Sequence, residues 1–252
     1  MPEVDAVFVS VALAAFLVGL SKGGVPTIGM LAVPLVSLVM SPLVAAVLLL
    51  PLFIVSDVVG VWLYRRDYSA PNLRILVPAG LLGVGLGWAT ASVLPDAALV
   101  LVVGLVGLWF CLLAWWPRSA PAQAQSPHRW KGGFWGMLAG LTSFVAHAGA
   151  PPYQMYMLPQ RLPKLTYAGT TTLFFAVVNA AKLLPYQHLQ PYSTETMWRI
   201  LAWVPFALAG TVVGAWVTRR LADVWFFRLV QFSLFAVSLK LVWDALHALW
   251  PA

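Results

Sequence analysis

The segment Leu43–Tyr64 reads LVAAVLLLPLFIVSDVVGVWLY. Its 22 residues carry one ionisable chain-interior group, Asp57, and are otherwise almost wholly apolar. An α-helix needs about 20 such residues to cross the hydrocarbon core of a bilayer. The stretch is too long and too uniformly apolar for a barrel strand, so it predicts a membrane-spanning helix.

Working outward, the same character recurs. Apolar segments fall at 4–20, 24–40, 72–93 and 97–116 on one side of a polar Pro/Ala/Gln stretch, 117–131. On the other side lie 132–147, 151–160, 165–186, 196–218 and 224–249. Over all 252 residues the chain is 61% hydrophobic and 9% charged. A soluble domain is about 25% charged, so this chain cannot cover a water-exposed surface. The prediction is an all-α polytopic membrane protein. Its acidic start, Glu3 and Asp5, is unlike a signal peptide, so the first apolar run is expected to be retained.

The net charge of +7 would suit nucleic acid, but the basic residues form no patch or motif. Eleven of the fifteen fall in four places: 65–74, 117–131, 161–164 and 219–228. The gaps 41–42, 94–96 and 187–195 hold none. The positive-inside rule places the first set in the cytoplasm and the second outside. Segments 43–64, 72–93 and 97–116 then alternate in direction, and 165–186, 196–218 and 224–249 run opposite to them. Both ends of 132–160 fall inside, so that region is expected to enter and turn back. By the same logic 4–40 enters from outside and turns back. Full spans at 4–20 and 24–40 would keep the same sidedness. Both termini are expected outside, in keeping with Glu3, Asp5 and Asp244.

Each half thus holds a broken hairpin and three spans, with 1–116 as one repeat, 117–131 as a cytoplasmic linker and 132–252 as an inverted second repeat. The residues carry the repeat. Gly19-Leu20-Ser21 matches Gly140-Leu141-Thr142, and Gly24-Val25-Pro26 matches Gly149-Ala150-Pro151. Leu52 to Asp57 matches Phe174 to Asn179. Pro78, Gly83, Gly87, Leu94 and Asp96 match Pro205, Gly210, Gly214, Leu221 and Asp223 at one constant offset. Weak symmetry of this kind is a mark of secondary transporters.

The chemistry concentrates at two breaks. Ser21-Lys22-Gly23-Gly24-Val25-Pro26-Thr27 interrupts an apolar region. Its glycines end one half-helix and Pro26 suits the first turn of the next. Free backbone N–H groups at such a break form an anion site, to which Ser21 and Thr27 add hydroxyls and Lys22 adds charge. The second break, from Thr142 and Ser143 through His147 and Gly149 to Pro151-Pro152, offers hydroxyls and an imidazole. The two tips are expected to meet near the bilayer midplane. The competing reading makes 21–27 an exposed turn with Lys22 among headgroups, and His147 a hydrogen-bonded core residue.

Asp57 and Lys182 lie inside apolar segments, and intramembrane charges usually line a pathway or pair with each other. Lys182 suits anion binding, or else snorkels to the outer surface. Asp57 suits a pair with Lys22 or Lys182, or proton exchange, and Asn179 is a neutral ligand at the repeat-equivalent position. Trp62, Trp88, Trp115, Trp116, Trp130, Trp198 and Trp250 read as interfacial anchors. Glycines 80, 83, 85, 87, 210 and 214 permit close helix packing. The lone Cys111 excludes an intramolecular disulfide and a multi-cysteine metal site, and no cofactor or metal motif is present.

The Ser21-Lys22-Gly23-Gly24 break, Asp57 and its partner Asn179 resemble the TauE/SafE sulfite exporter family, across nearly the whole chain. The resemblance implies a bacterial inner-membrane permease, built from two related halves, for sulfite, sulfoacetate or other organosulfonates. The second break departs from the glycine pair, with Ala148-Gly149 and an inserted His147.

The function expected is therefore secondary transport, as an exporter, of a small anion by alternating access. The anion would sit between the tips on backbone N–H groups, Ser21, Thr27, Thr142 and Ser143, with Lys22 and Lys182 supplying positive potential. An anion channel or a structural membrane subunit are the alternatives. An enzyme is disfavoured, since neither H-E-x-x-H nor G-x-S-x-G occurs. The partners expected are the anion and the lipid bilayer, without nucleic acid. Proton coupling and a homo-oligomer are left open.

Overall fold

A computed structural model of the chain describes residues 2–40, 42–90 and 124–249, with 101, 104, 105, 107–109, 111, 112 and 115 between them. Leu94, Asp96, Trp116, Trp250, residues 117–123 of the linker and most of segment 97–116 lie outside the described residues. Among the described residues the structure is helical and contains no strand.

In chain order, α1 is Pro2–Lys22 and is followed by a 3₁₀ helix, Pro26–Leu31, and a short α2, Ala32–Val36. Then come α3 (Pro42–Tyr64), α4 (Ala70–Thr90) and α5 (Arg129–Ala146). The helix α6 (Ala150–Met157) runs into a 3₁₀ turn, Leu158–Gln160, before α7 (Lys164–Leu189). Finally α8 (Thr194–Leu201), α9 (Val204–Arg220) and α10 (Asp223–Leu249) complete the chain.

Helix starts follow local chemistry. The Ser193 hydroxyl accepts the Thr196 N–H at 3.1 Å to cap α8. The His128 ring accepts the Lys131 N–H, so Arg129–Lys131, expected in the linker, form the first turn of α5. Segment 196–218 is not one straight helix. It bends by 45° between Leu201 and Val204, where Pro205 follows and cannot supply an N–H to the preceding turn.

Among the described residues three helices are long and apolar enough to cross a bilayer, Val44–Tyr64, Ala70–Thr90 and Asp223–Ala248, with a fourth if the bent α8/α9 pair is one span. The 26-residue α7 falls short on composition because Thr170, Thr171, Thr172, Asn179 and Lys182 dilute its apolar run. Around the first break, Pro26–Val36 is too short to cross, and Ala6–Lys22 sits at the lower limit of a span. Val58, Trp62, Leu82, Trp216, Phe232 and Trp243 all face outward. Bulky apolar side chains turned outward suit helices solvated by lipid.

Two compact units emerge, each drawn from both halves of the sequence: Met1–Ser69 with Lys164–Ala222, and Ala70–Pro163 with Asp223–Ala252. In the first, α1 and α9 run parallel at very close range. A Cβ on Gly19 would lie 2.0 Å from the Ala207 carbonyl oxygen, and one on Gly210 would lie 2.2 Å from that of Phe16. In the second, α4 and α5 do the same. A Cβ on Gly83 would lie 2.0 Å from the Met137 carbonyl oxygen, and one on Gly140 2.0 Å from that of Gly80. Only small residues let helix backbones approach so closely.

The first unit also holds α3 against α7. Their contacts pair Asp57 with Asn179, Gly60 with Thr172 and Asp67 with Gly169, so the two run antiparallel. In the second unit, Asn72 on α4 and Gln160 after α6 exchange reciprocal amide hydrogen bonds of 2.8 and 3.1 Å. The Tyr156 hydroxyl accepts the His128 N–H there, fixing the start of α5.

Candidate functional site

Two helical stripes frame the site in the first unit. On α3, Phe53, Asp57, Gly60 and Tyr64 recur every three or four residues, and on α7 so do Thr172, Phe175, Asn179 and Lys182. That spacing puts each set on one helix face. The first break lies against both stripes.

Backbone contacts lock the break in place. The Tyr64 hydroxyl donates to the Gly23 carbonyl at 2.5 Å, and Thr172 donates to the Lys22 carbonyl at 3.2 Å. Gly60 makes room, since a Cβ there would meet the Lys22 carbonyl oxygen at 3.0 Å. The tip thus lies level with the last turns of α3, and the Lys22 side chain turns back along α3 to Asp57.

The polar centre follows from this placement. Lys22 Nζ is 2.8 Å from Asp57 Oδ1, and Asn179 Nδ2 donates to Asp57 Oδ2 at 2.7 Å. The ammonium also stands over Phe53 and Phe175, 5.1 and 5.7 Å from their ring centroids. Lys182 lies within electrostatic reach of both Asp57 and Lys22. Exposure is 5% for Lys22, 4% for Asp57 and 0% for Lys182. These values overturn the readings of Lys22 as a headgroup lysine and Lys182 as a snorkelling one. Burial of such charges costs several kcal/mol per ion and is tolerable only with paired, hydrogen-bonded partners.

The break itself differs from the expected cradle of free amides. Gly23 N–H goes to the Gly19 carbonyl, Gly24 N–H to Ser21, Val25 N–H to Leu20 and Ile28 N–H to Val25. The chain closes α1 with a Schellman-like pattern in which Gly24 adopts φ +124°. The Ser21 hydroxyl donates back to the Val18 carbonyl at 2.6 Å. Its proton is therefore spent on the helix. Thr27 is fully buried beside the break.

In the second unit, Thr142, Ser143 and His147 are buried at the end of α5. The Thr142 hydroxyl donates to the Leu138 carbonyl at 2.8 Å, as Ser21 does in its own helix. His147 closes α5 in the left-handed region, φ 51°, with its N–H on the Ser143 carbonyl. Gly149 caps α6, and its carbonyl accepts the Tyr153 N–H.

Of the twelve residues singled out from sequence, the first unit gathers Ser21, Lys22, Gly23, Gly24, Thr27, Asp57, Asn179 and Lys182. The other four belong to the second unit. Sequence reasoning missed Phe53, Gly60, Tyr64, Thr172 and Phe175. The stripe spacing on either side of Asp57 and Asn179 was the signal available for them.

A sequence model of the family described as Sulfite exporter TauE/SafE matches residues 11–241. The chain belongs to the TauE/SafE sulfite exporter family. All twelve candidate residues fall within the matched span. Membership makes the chain a membrane protein of a transporter family, in keeping with its apolar helices. No curated protein and no solved structure matches it.

Proposed function

We propose that the chain is a secondary transporter that exports a small anion, sulfite or an organosulfonate, across a bacterial cytoplasmic membrane by alternating access. The observation that carries this reading is the buried Lys22–Asp57 ion pair, with buried Lys182 within electrostatic reach of both. Whenever Lys182 carries a proton alongside Lys22, the cluster has one positive charge in excess, which one monovalent anion neutralises. Asp57 holds the place on Lys22 that such an anion would take. Arrival of the anion would release Asp57 toward Asn179, while Lys22, Lys182 and the Asn179 amide supply donors. Asp57 and Lys182 are the buried groups at which a proton could couple to the cycle. Ser21 and Thr142 play no donor part while their hydroxyls remain on helix carbonyls.

The repeat supports alternating access. The Asp57–Asn179 hydrogen bond joins repeat-equivalent positions on antiparallel helices, as a two-fold relation between inverted halves requires. The small-residue crossings correspond too: Gly83 meets Met137 and Leu141, and Gly210 meets their equivalents Phe16 and Leu20. Export suits an anion on a negative-inside membrane, being downhill by roughly 2.3 kcal/mol per charge per 100 mV. The positive-inside pattern supports cytoplasmic placement of 65–74 and 219–228, with both termini periplasmic.

The test is flux of labelled sulfite and sulfoacetate in liposomes holding the purified chain. Saturable flux, accelerated by unlabelled anion on the opposite face, is expected. Flux that stays linear in concentration, with no counterflow, would point to an anion channel, and absence of flux with every anion would remove the function.

A further inference from the structure

The end of α3 and the end of α9 flank an open cavity of about 280 Å³ in the first unit, lined by Trp62, Leu63, Arg65, Arg66, Asp67 and Arg219. Three guanidinium groups against one carboxylate leave this cavity strongly positive. Two of them are held in position. Arg65 Nη1 donates to the Trp62 carbonyl at 2.5 Å and its guanidinium lies 4.7 Å from the Trp62 ring centroid. Arg219 reaches across from α9 to donate to the Leu63 carbonyl at 3.2 Å. Each keeps further N–H donors for a ligand, since a guanidinium carries five.

A positive-inside charge needs only to sit in the aqueous phase; it has no reason to converge with others from distant parts of the chain. Here residues 65 and 219 do converge, and on a concave surface. Tyr64, between Leu63 and Arg65, donates its hydroxyl to Gly23. Tyr64 and Thr218, the chain neighbours of the lining residues Arg65 and Arg219, thus stand beside Gly23 and Gly24 of the break that carries Lys22.

We propose that this cavity is a second anion site, which binds a sulfur or phosphorus oxyanion through Arg65, Arg66 and Arg219. The ligand is either a soluble oxyanion on its way to or from Lys22, or the phosphate of an anionic lipid headgroup. Arginine forks fit such oxygens in a bidentate manner, and the Trp62 ring and carbonyl hold the Arg65 guanidinium in place. Asp67 faces the same space and keeps the site from holding the ligand too tightly.

Binding, not flux, tests this, so its failure leaves the transport function standing. Equilibrium dialysis of labelled sulfite against the full chain in uncharged detergent supplies one arm. Native mass spectrometry with phosphatidylglycerol, and phosphatidylethanolamine for comparison, supplies the other. The Arg65→Gln/Arg219→Gln chain is expected to lose affinity by about tenfold or more in one arm, because two charge-assisted hydrogen bonds are removed. The losing arm identifies the source: sulfite for a soluble anion, phosphatidylglycerol for a headgroup. Arg74→Gln/Arg161→Gln, which removes two basic residues outside the cavity, is expected to bind as the wild type does. Unchanged binding of both probes by the cavity variant would overturn the proposal, as would an equal loss in the Arg74/Arg161 variant.

Discussion

The two helix breaks correspond in packing and differ in charge. Both close a helix packed at glycine distance against a parallel partner, and the equivalent hydroxyls, Ser21 and Thr142, both return to a carbonyl of their own helix. Yet where the first break has Lys22 and Gly23, the second has Ser143 and Phe144. Gly23 lets the first break reach the backbone of Gly214, a Cβ there falling 2.5 Å from the Gly214 Cα. At the equivalent place in the second unit Phe144 lies over Gly87. The scaffold is thus repeated and the charge is not. The proposal that anion binding belongs to the first break rests on this difference in charge.

The largest effect expected is at Lys22. Lys22→Ala leaves Asp57 buried without its counter-ion, a loss of about 3–5 kcal/mol. Thermal unfolding in detergent should show it, and flux should vanish. Ser143→Ala, the equivalent change in the second break, should shift stability by no more than about 1 kcal/mol and leave flux near wild type. Equal losses at the two positions would break the comparison.

Next come the crossings. Gly19→Ala and Gly140→Ala should each destabilise by about 1–3 kcal/mol, because the added methyl meets a carbonyl oxygen rather than a side chain that can move. The same melting measurement checks that the two losses are similar. A smaller effect is expected from the closing residues. Gly24→Ala is strained by its φ of +124° and by the Thr218 hydroxyl 2.5 Å from the new Cβ. His147→Gly relieves the left-handed penalty of a β-carbon but removes a buried side chain, so its net effect on stability should stay within about 1 kcal/mol.

Much of this was legible in the chain. Uniform apolar runs such as 43–64 can only be helices in a bilayer, and α3, α4 and α10 fall within a few residues of their expected bounds. Asp57, Asn179 and Lys22 stood out because polar groups in such runs are costly. Direction and depth were less legible. The sequence shows that 21–27 breaks a helix, but the partners of its amides depend on how the chain closes there. Here a Schellman-like turn consumes the N–H groups that an open break would offer. The bend in 196–218 was hidden because Ala202 and Trp203 are as apolar as their neighbours. Phe53 and Phe175 carry no signal of their own in an apolar run, since only the fold brings them over the Lys22 ammonium.

The most direct test of the central claim removes both halves of the ion pair together. Lys22→Ala/Asp57→Ala removes both members of the ion pair, so the chain should melt closer to wild type than Lys22→Ala does, while sulfite flux in liposomes loses its saturable component. Wild-type saturable flux from a well-folded double variant would make the pair a structural tie and contradict the assignment of Lys22 to anion binding.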